Sequence, residues 1–325
     1  MTVAINPQPI PPRDDEPDDS VAVDSQFASL SDTRQRARRL QSYAVFYGNP
    51  TETVIRTLAK YDFAIVESRY WQQANLDQLH SDNPNCLIVA YLSIGEEDDN
   101  PNHPSDPCLG SVPYNQCDGR VEIKDDWKLG RNEEWSSSYI NAGKDGWQEL
   151  MLADLQVIID KGFDGVFFDT VDTAEPGKYP DTRSGMIALI KRLREQFPDA
   201  VFVQNRGLSV ADSTVSNDGQ TLVDRVMFED VTTSYSPALD GKPEVYQRQP
   251  NADLEEWEAL QDQIGVPLLA LDYVKPNLLP SNNMPGSDEI AREAYDFSLS
   301  YGFIPFVSVG ALDQLPSYGG LQPEN

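Results

Sequence analysis

Histidine is almost missing from this chain: only His80 and His103 occur among 325 residues, on separate predicted loops. A histidine-rich zinc site is therefore not expected. Cysteine is equally scarce, and three residues do not make a disulfide framework. Cys86 falls in an apolar strand pattern and reads as a core thiol. Cys108 and Cys117 bracket a loop containing Pro and Gly, where a small disulfide ring is feasible in an exported protein. Positive charge is in short supply too, with 25 Lys+Arg against 53 Asp+Glu and a formal net charge of -28. Such a field repels nucleic acid and anionic membranes and attracts cations, although solubility or salt adaptation produces the same balance. The one basic cluster, Arg34-Gln-Arg-Ala-Arg-Arg39, reads as a solvated helix face rather than a nucleic-acid patch.

No apolar run is long enough to span a bilayer. Met1–Ser20 is rich in Pro and Asp and lacks the apolar core of a signal peptide. Residues 1–28 are expected to be an acidic, Pro-rich disordered tail, and residues 317–325 a C-terminal tail. No Gly-x-Gly-x-x-Gly turn follows any strand, so an open, doubly wound dinucleotide-binding sheet is disfavoured and no cofactor is expected.

What the chain does have is a regular alternation. Short apolar runs at Tyr43–Gly48, Phe63–Val66, Cys86–Leu92, Val166–Phe168, Val201–Val203, Val226–Phe228, Pro267–Leu271 and Pro305–Val309 read as eight buried strands. Helical spacing appears between most of them, as in Trp147, Met151, Leu155 and Ile158, or Leu254, Trp257, Leu260 and Ile264. Gly162 is placed to end the helix before the fourth strand. The stretch between the fifth and sixth strands reads as a polar connection. A helix at Ser29–Gln41 precedes the first strand. The spacing predicts a single (β/α)8 barrel over residues 29–316. Its one long insertion, Asp98 to about Asn141, carries enough aromatic residues to argue for a functional loop.

Polar residues follow the apolar runs: Tyr47, Glu67, Ser93 and Glu96, Asp169 and Asp172, Gln204 and Asn205, Glu229 and Asp230, Asp272 and Tyr273. In a barrel these strand ends converge on one mouth. Carboxylates, amides and phenols without His or Lys suit a polyhydroxylated substrate. Glycoside hydrolysis requires two carboxyl groups flanking the scissile bond, one to protonate the leaving oxygen and one to attack or to activate water. Asp169 and Glu229 are the candidate catalytic pair, with Asp172 and Asp230 competing for the same roles. Tyr47, Ser93, Glu96, Asp172, Gln204, Asn205, Asp230, Asp272 and Tyr273 are candidate substrate contacts. Trp127 and Trp135 in the insertion read equally as loop-core anchors or as platforms for a sugar ring. Asp164, before the fourth strand, reads as a turn or capping residue.

Tyr47-Gly48, Tyr91-Leu-Ser-Ile-Gly-Glu96, Gly162-Phe-Asp-Gly-Val-Phe-Phe-Asp-Thr-Val-Asp172 and Phe228-Glu229 resemble glycoside hydrolase family 114, from about Tyr43 to about Val309. The resemblance implies a barrel with endo-α-1,4-polygalactosaminidase activity and catalytic carboxylates at the ends of strands four and six, which fall on Asp169 and Glu229. It implies a partly deacetylated, cationic galactosamine polymer as the partner, no nucleic acid, and a secreted or envelope location. A catalytically silent carbohydrate-binding barrel and a carboxylate–metal hydrolase are the alternatives.

Overall fold

Each barrel strand is four to seven residues of almost wholly buried chain, which suits a sheet covered on both faces. In the computed structural model, which describes residues 30–98, 123–215, 221–238, 243–248, 254–279 and 289–316, eight parallel strands occur in chain order. They are Tyr43–Phe46, Phe63–Val66, Leu87–Ser93, Gly165–Asp169, Val201–Asn205, Arg225–Glu229, Leu269–Tyr273 and Ile304–Ser308, strands one to eight below. Strands one and eight come back together, and Tyr47 N donates to Leu312 O at 2.7 Å beside that seam. The result is a nearly closed (β/α)8 barrel. The expected tails and the Cys108–Cys117 loop lie outside the described residues; Cys86 is a buried free thiol.

Two glycines explain the geometry of the approach to strand four. Gly162 has φ +101°, a left-handed conformation that lets the chain leave helix Asp145–Asp160 and turn into the sheet. At Gly165 an added Cβ would stand 1.9 Å from Val201 O, so strands four and five approach too closely for any side chain there. Asp164 between them accepts from Ile88 N at 2.8 Å, so instead of capping a local turn it ties the start of strand four to strand three.

The structure departs from the sequence reading at three places. The connection after strand five contains a seven-residue helix, Leu208–Thr214, entered through left-handed Gly207. The insertion after strand three supplies a three-stranded antiparallel sheet of Glu96–Asp98, Ser137–Ile140 and Lys128–Asn132. The arginine cluster is not a solvated face. Helix Asp32–Arg39 closes the bottom of the barrel, and Arg34 and Arg38 are buried. Arg34 Nε lies 2.7 Å from Asp224 Oδ1, and Arg194 Nη2 lies 3.0 Å from Asp224 Oδ2. Arg225 donates to Ala37 O, Arg38 O and Leu40 O, tying the same helix to the start of strand six. A buried carboxylate requires such partners, and the arginines meet that requirement.

Candidate active site

Side chains alternate faces along a strand, so only every second residue at a strand end points into the mouth. Ser93, Asp169, Gln204, Asn205, Glu229, Asp272 and Tyr273, which seemed to follow the apolar runs, are the last residues of the strands, and the pleat sorts them; Tyr47, Glu67, Glu96, Asp172 and Asp230 lie just beyond. Tyr91 and Ser93, Asp169, Asn205, Glu229, and Leu271 and Tyr273 face a cleft of about 1190 Å³. Their neighbours Phe168, Gln204, Phe228 and Asp272 point away; Phe228 stacks on Trp257 at 4.2 Å between ring centres.

At the floor of the cleft one amide joins two carboxylates. Asn205 Nδ2 donates to Asp169 Oδ1 at 2.7 Å and to Glu229 Oε1 at 2.5 Å. The gap between those two oxygens is bounded by the sum of the two bonds, 5.2 Å. Tyr91 Oη donates to Asp169 Oδ2 at 2.7 Å, and Tyr273 Oη donates to Glu229 Oε2 at 2.6 Å. All four carboxylate oxygens thus hold a donor. Burial first, and then the neighbouring carboxylates, push the Tyr91 and Tyr273 phenols well above their usual range, so they stay protonated as donors. Burial, followed by the charge of Glu229, raises the Asp169 carboxyl, against the opposing bonds from Tyr91 and Asn205.

The three residues that follow Asp169, Asn205 and Glu229 are all left-handed and none is glycine: Thr170 φ 61°, Arg206 φ 50° and Asp230 φ 61°. Each such conformation costs of order 1–3 kcal/mol and persists where surrounding bonds enforce it. Here the bonds are visible. Thr170 Oγ1 accepts from Gly95 N at 2.8 Å, and Arg206 N and Asp230 N donate to Met227 O and Leu271 O at 2.8 and 2.9 Å.

The other sequence candidates separate into two groups. Tyr47, Ser93, Glu96, Asp172, Asp230, Tyr273 and Trp135 all line the cleft with the carboxylate pair. Trp135 stands at the turn of the insertion sheet and is 56% exposed. Three candidates are placed elsewhere. Trp127 is buried in the core against Gly146, whose packing it fills, and offers no face to a sugar. Gln204 is fully buried and donates to Arg206 O and Gly207 O at 2.9 and 3.0 Å. Asp272 accepts from Thr232 N and Thr233 N at 2.7 and 2.8 Å, shaping the turn after strand six from behind the mouth.

Sequence reasoning left Tyr91, Arg206 and Lys178 out of the site. Tyr91 sits two residues before Ser93, so the period of the strand carried the signal. Arg206 and Lys178 gave no such sign, because their roles are set by contacts: Arg206 pairs with Asp230 at 2.6 Å and Lys178 with Asp172 at 3.0 Å. Glu67, a strand-end residue, also lines the cleft, and burial pushes its carboxyl up to about 7 against the charge of Arg69. Eight carboxylates and three cationic side chains border the cleft, so the mouth is strongly negative. Among the described residues no group of three or more His, Cys, Asp or Glu is placed to hold a metal ion, and no helix is long and apolar enough to cross a membrane.

Known proteins share this architecture. The glycoside hydrolase domain of PelA from Pseudomonas aeruginosa superposes with a TM-score of 0.66 at 23% identity, covering 85% of this chain and 98% of that one. Aspergillus fumigatus Ega3, in a complex with galactosamine, gives a TM-score of 0.59 at 16% identity, covering 86% and 96%. At these identities the likeness is one of fold. An uncharacterized protein of Deinococcus radiodurans is 28% identical over 197 residues; the match takes in 58% of this chain and 57% of that protein, little more than half its length. The sequence model of glycoside-hydrolase family GH114 matches residues 24–320, nearly the whole chain. The chain therefore belongs to glycoside-hydrolase family GH114.

Proposed function

We propose that this protein cleaves an α-1,4-linked galactosamine polymer at internal bonds, by double displacement, with Asp169 as nucleophile and Glu229 as acid/base. The observation that carries the reading is the Asn205 amide bridging the two carboxylates, which holds their nearest oxygens within 5.2 Å. Retaining glycosidases set the two carboxyls about 5–5.5 Å apart, whereas inverting ones leave about 6.5–9.5 Å for a water between them. One amide spanning both carboxylates supports the shorter, retaining separation.

In the first step an Asp169 oxygen forms a bond to the anomeric carbon as the bond to the leaving O4 breaks, and Glu229 gives that oxygen its proton. The glycosyl ester formed has the β configuration. In the second step Glu229 takes a proton from water, whose oxygen displaces Asp169 and restores the α configuration. Asn205 donates to both carboxylates, so its amide follows the charge as it leaves Asp169 and appears on Glu229. Asp169 as nucleophile accords with the resemblance of its strand-four motif. A cationic polymer accords with the excess of carboxylates around the cleft, and Ega3, similar in fold, is known in a complex with galactosamine.

The experiment is hydrolysis of α-1,4-galactosamine polymers of graded acetylation, followed by sizing of the products. Early release of mixed oligomers is expected. No cleavage of any polymer in the series would remove this substrate from the account.

A further inference from the structure

Glu96 is a cleft carboxylate that the chemistry of the Asp169–Glu229 pair leaves unused. It opens the insertion sheet, is 6% exposed and borders the cleft. Its Oε2 accepts from Ser137 Oγ at 2.5 Å and from Asn132 Nδ2 at 3.1 Å, and among the described residues Oε1 meets Asn132 Nδ2 alone, at 3.3 Å. These donors are neutral. The acidic residues nearest the pair in sequence are answered by internal cations instead, Asp172 by Lys178 and Asp230 by Arg206. Among the described residues no lysine or arginine forms an ion pair with Glu96. Lys178 is held on Asp172 and over the Tyr139 ring, 5.3 Å from its centre.

This buried carboxylate at the border of the cleft is fixed by neutral donors and has no cation in direct contact among the described residues; the charge of Lys178 reaches it only from that side chain's place on Asp172. The place of Glu96 in the fold narrows what supplies a cation in contact. Ser93 pairs with Asp169 in the sheet, and Gly95 N donates to Thr170 Oγ1, so the segment carrying Glu96 is anchored to the Asp169 wall. A sugar unit attacked by Asp169 carries its C2 substituent on the carbon next to the reacting one. A hydroxyl there donates without compensating the carboxylate charge, and an N-acetyl group offers one uncharged N–H together with the bulk of its acyl group. An ammonium supplies both donors and charge.

We propose that Glu96 is a specificity-determining residue that accepts the C2 ammonium of a galactosamine unit bound beside the Asp169–Glu229 pair, and so selects a deacetylated unit there. The inference rests on the galactosamine-polymer reading. Its test compares wild type and Glu96→Gln by kcat/KM on fully deacetylated and on N-acetylated α-1,4-galactosamine polymer. The ratio of the two values should fall about 10- to 100-fold in the variant, the worth of one hydrogen bond to a charged group. Gln keeps the shape and an acceptor for Ser137, and a melting curve confirms the fold. A measurement on the wild type alone stands beside it: free galactosamine should inhibit at lower concentration than N-acetylgalactosamine. An unchanged ratio in a folded variant overturns the role of Glu96 while the function stands, and so does equal inhibition by the two sugars. If the variant does not fold, the inhibition comparison decides. A wild type inactive on both polymers overturns the substrate reading, and this inference with it.

Discussion

Asn205→Ala removes the amide that bridges the proposed catalytic pair, and its effect can be worked out from the two bonds it breaks. Each is a bond to a charged group, contributing about 1.5–3 kcal/mol. Two full charges about 5 Å apart repel by about 3 kcal/mol at an effective dielectric near 20, a repulsion the amide hydrogens now soften. Removing donors that favour the ionised forms raises the proton affinity of the pair. At 1.36 kcal/mol per pH unit, and with water entering the vacated space, a shift of about one unit is the expected size. The sign is fixed: the acidic limb of the kcat/KM profile should move to higher pH, because the Asp169 carboxyl, already raised by burial, ionises later still. The assay is the full profile on galactosamine polymer, with a melting curve to confirm folding. A profile that drops in height without moving would refute the electrostatic role and leave Asn205 a spacer.

Three further outcomes follow from the placement of side chains. Trp127→Ala should cost about 3–5 kcal/mol of stability, read as a lower denaturant midpoint, because it empties a core position; Trp135→Ala should leave the midpoint alone and weaken polymer binding by ~1–2 kcal/mol. The opposite pattern would exchange their roles. Asp224→Asn breaks the buried link to Arg34 and Arg194 and should destabilise the fold by about 3–5 kcal/mol; an unchanged melting temperature would contradict the account of the barrel floor. Burial pushes the Asp272 carboxyl up to about 6 from an ordinary 3.8. The folded chain then holds this proton more tightly than the unfolded one, so the contribution favours folding at low pH and is lost as pH rises through about 6. Stability of Asp272→Asn relative to wild type should improve by up to ~3 kcal/mol between about pH 4 and pH 7, and a pH-independent difference would count against it.

Much of the barrel could be read from the sequence because its strands are short, apolar and bounded by turn residues. Asp169 and Glu229 could be picked out because each ends such a run. The pleat was harder to use. Gln204 and Asn205 look alike in sequence, as do Asp272 and Tyr273, yet the alternation of faces sends one of each pair into the cleft and the other behind it. The arginines of the first helix looked solvated because their partner, Asp224, is about 190 residues away and no local pattern signals it. Helix Leu208–Thr214 is only seven residues of mixed character, too short for periodicity to register. Trp127 and Trp135 share one insertion, and only the tertiary fold separates the buried ring from the exposed one.

The account centres on a covalent intermediate on Asp169, which can be sought directly. Glu229→Gln should be incubated with α-galactosaminyl fluoride, a donor whose leaving group needs no proton. The first step then proceeds, and the second stalls without a base. Peptide mass spectrometry is predicted to find a single galactosaminyl adduct, on Asp169. An adduct on Asp172 or Asp230, or no adduct while the fluoride is consumed, would contradict the mechanism.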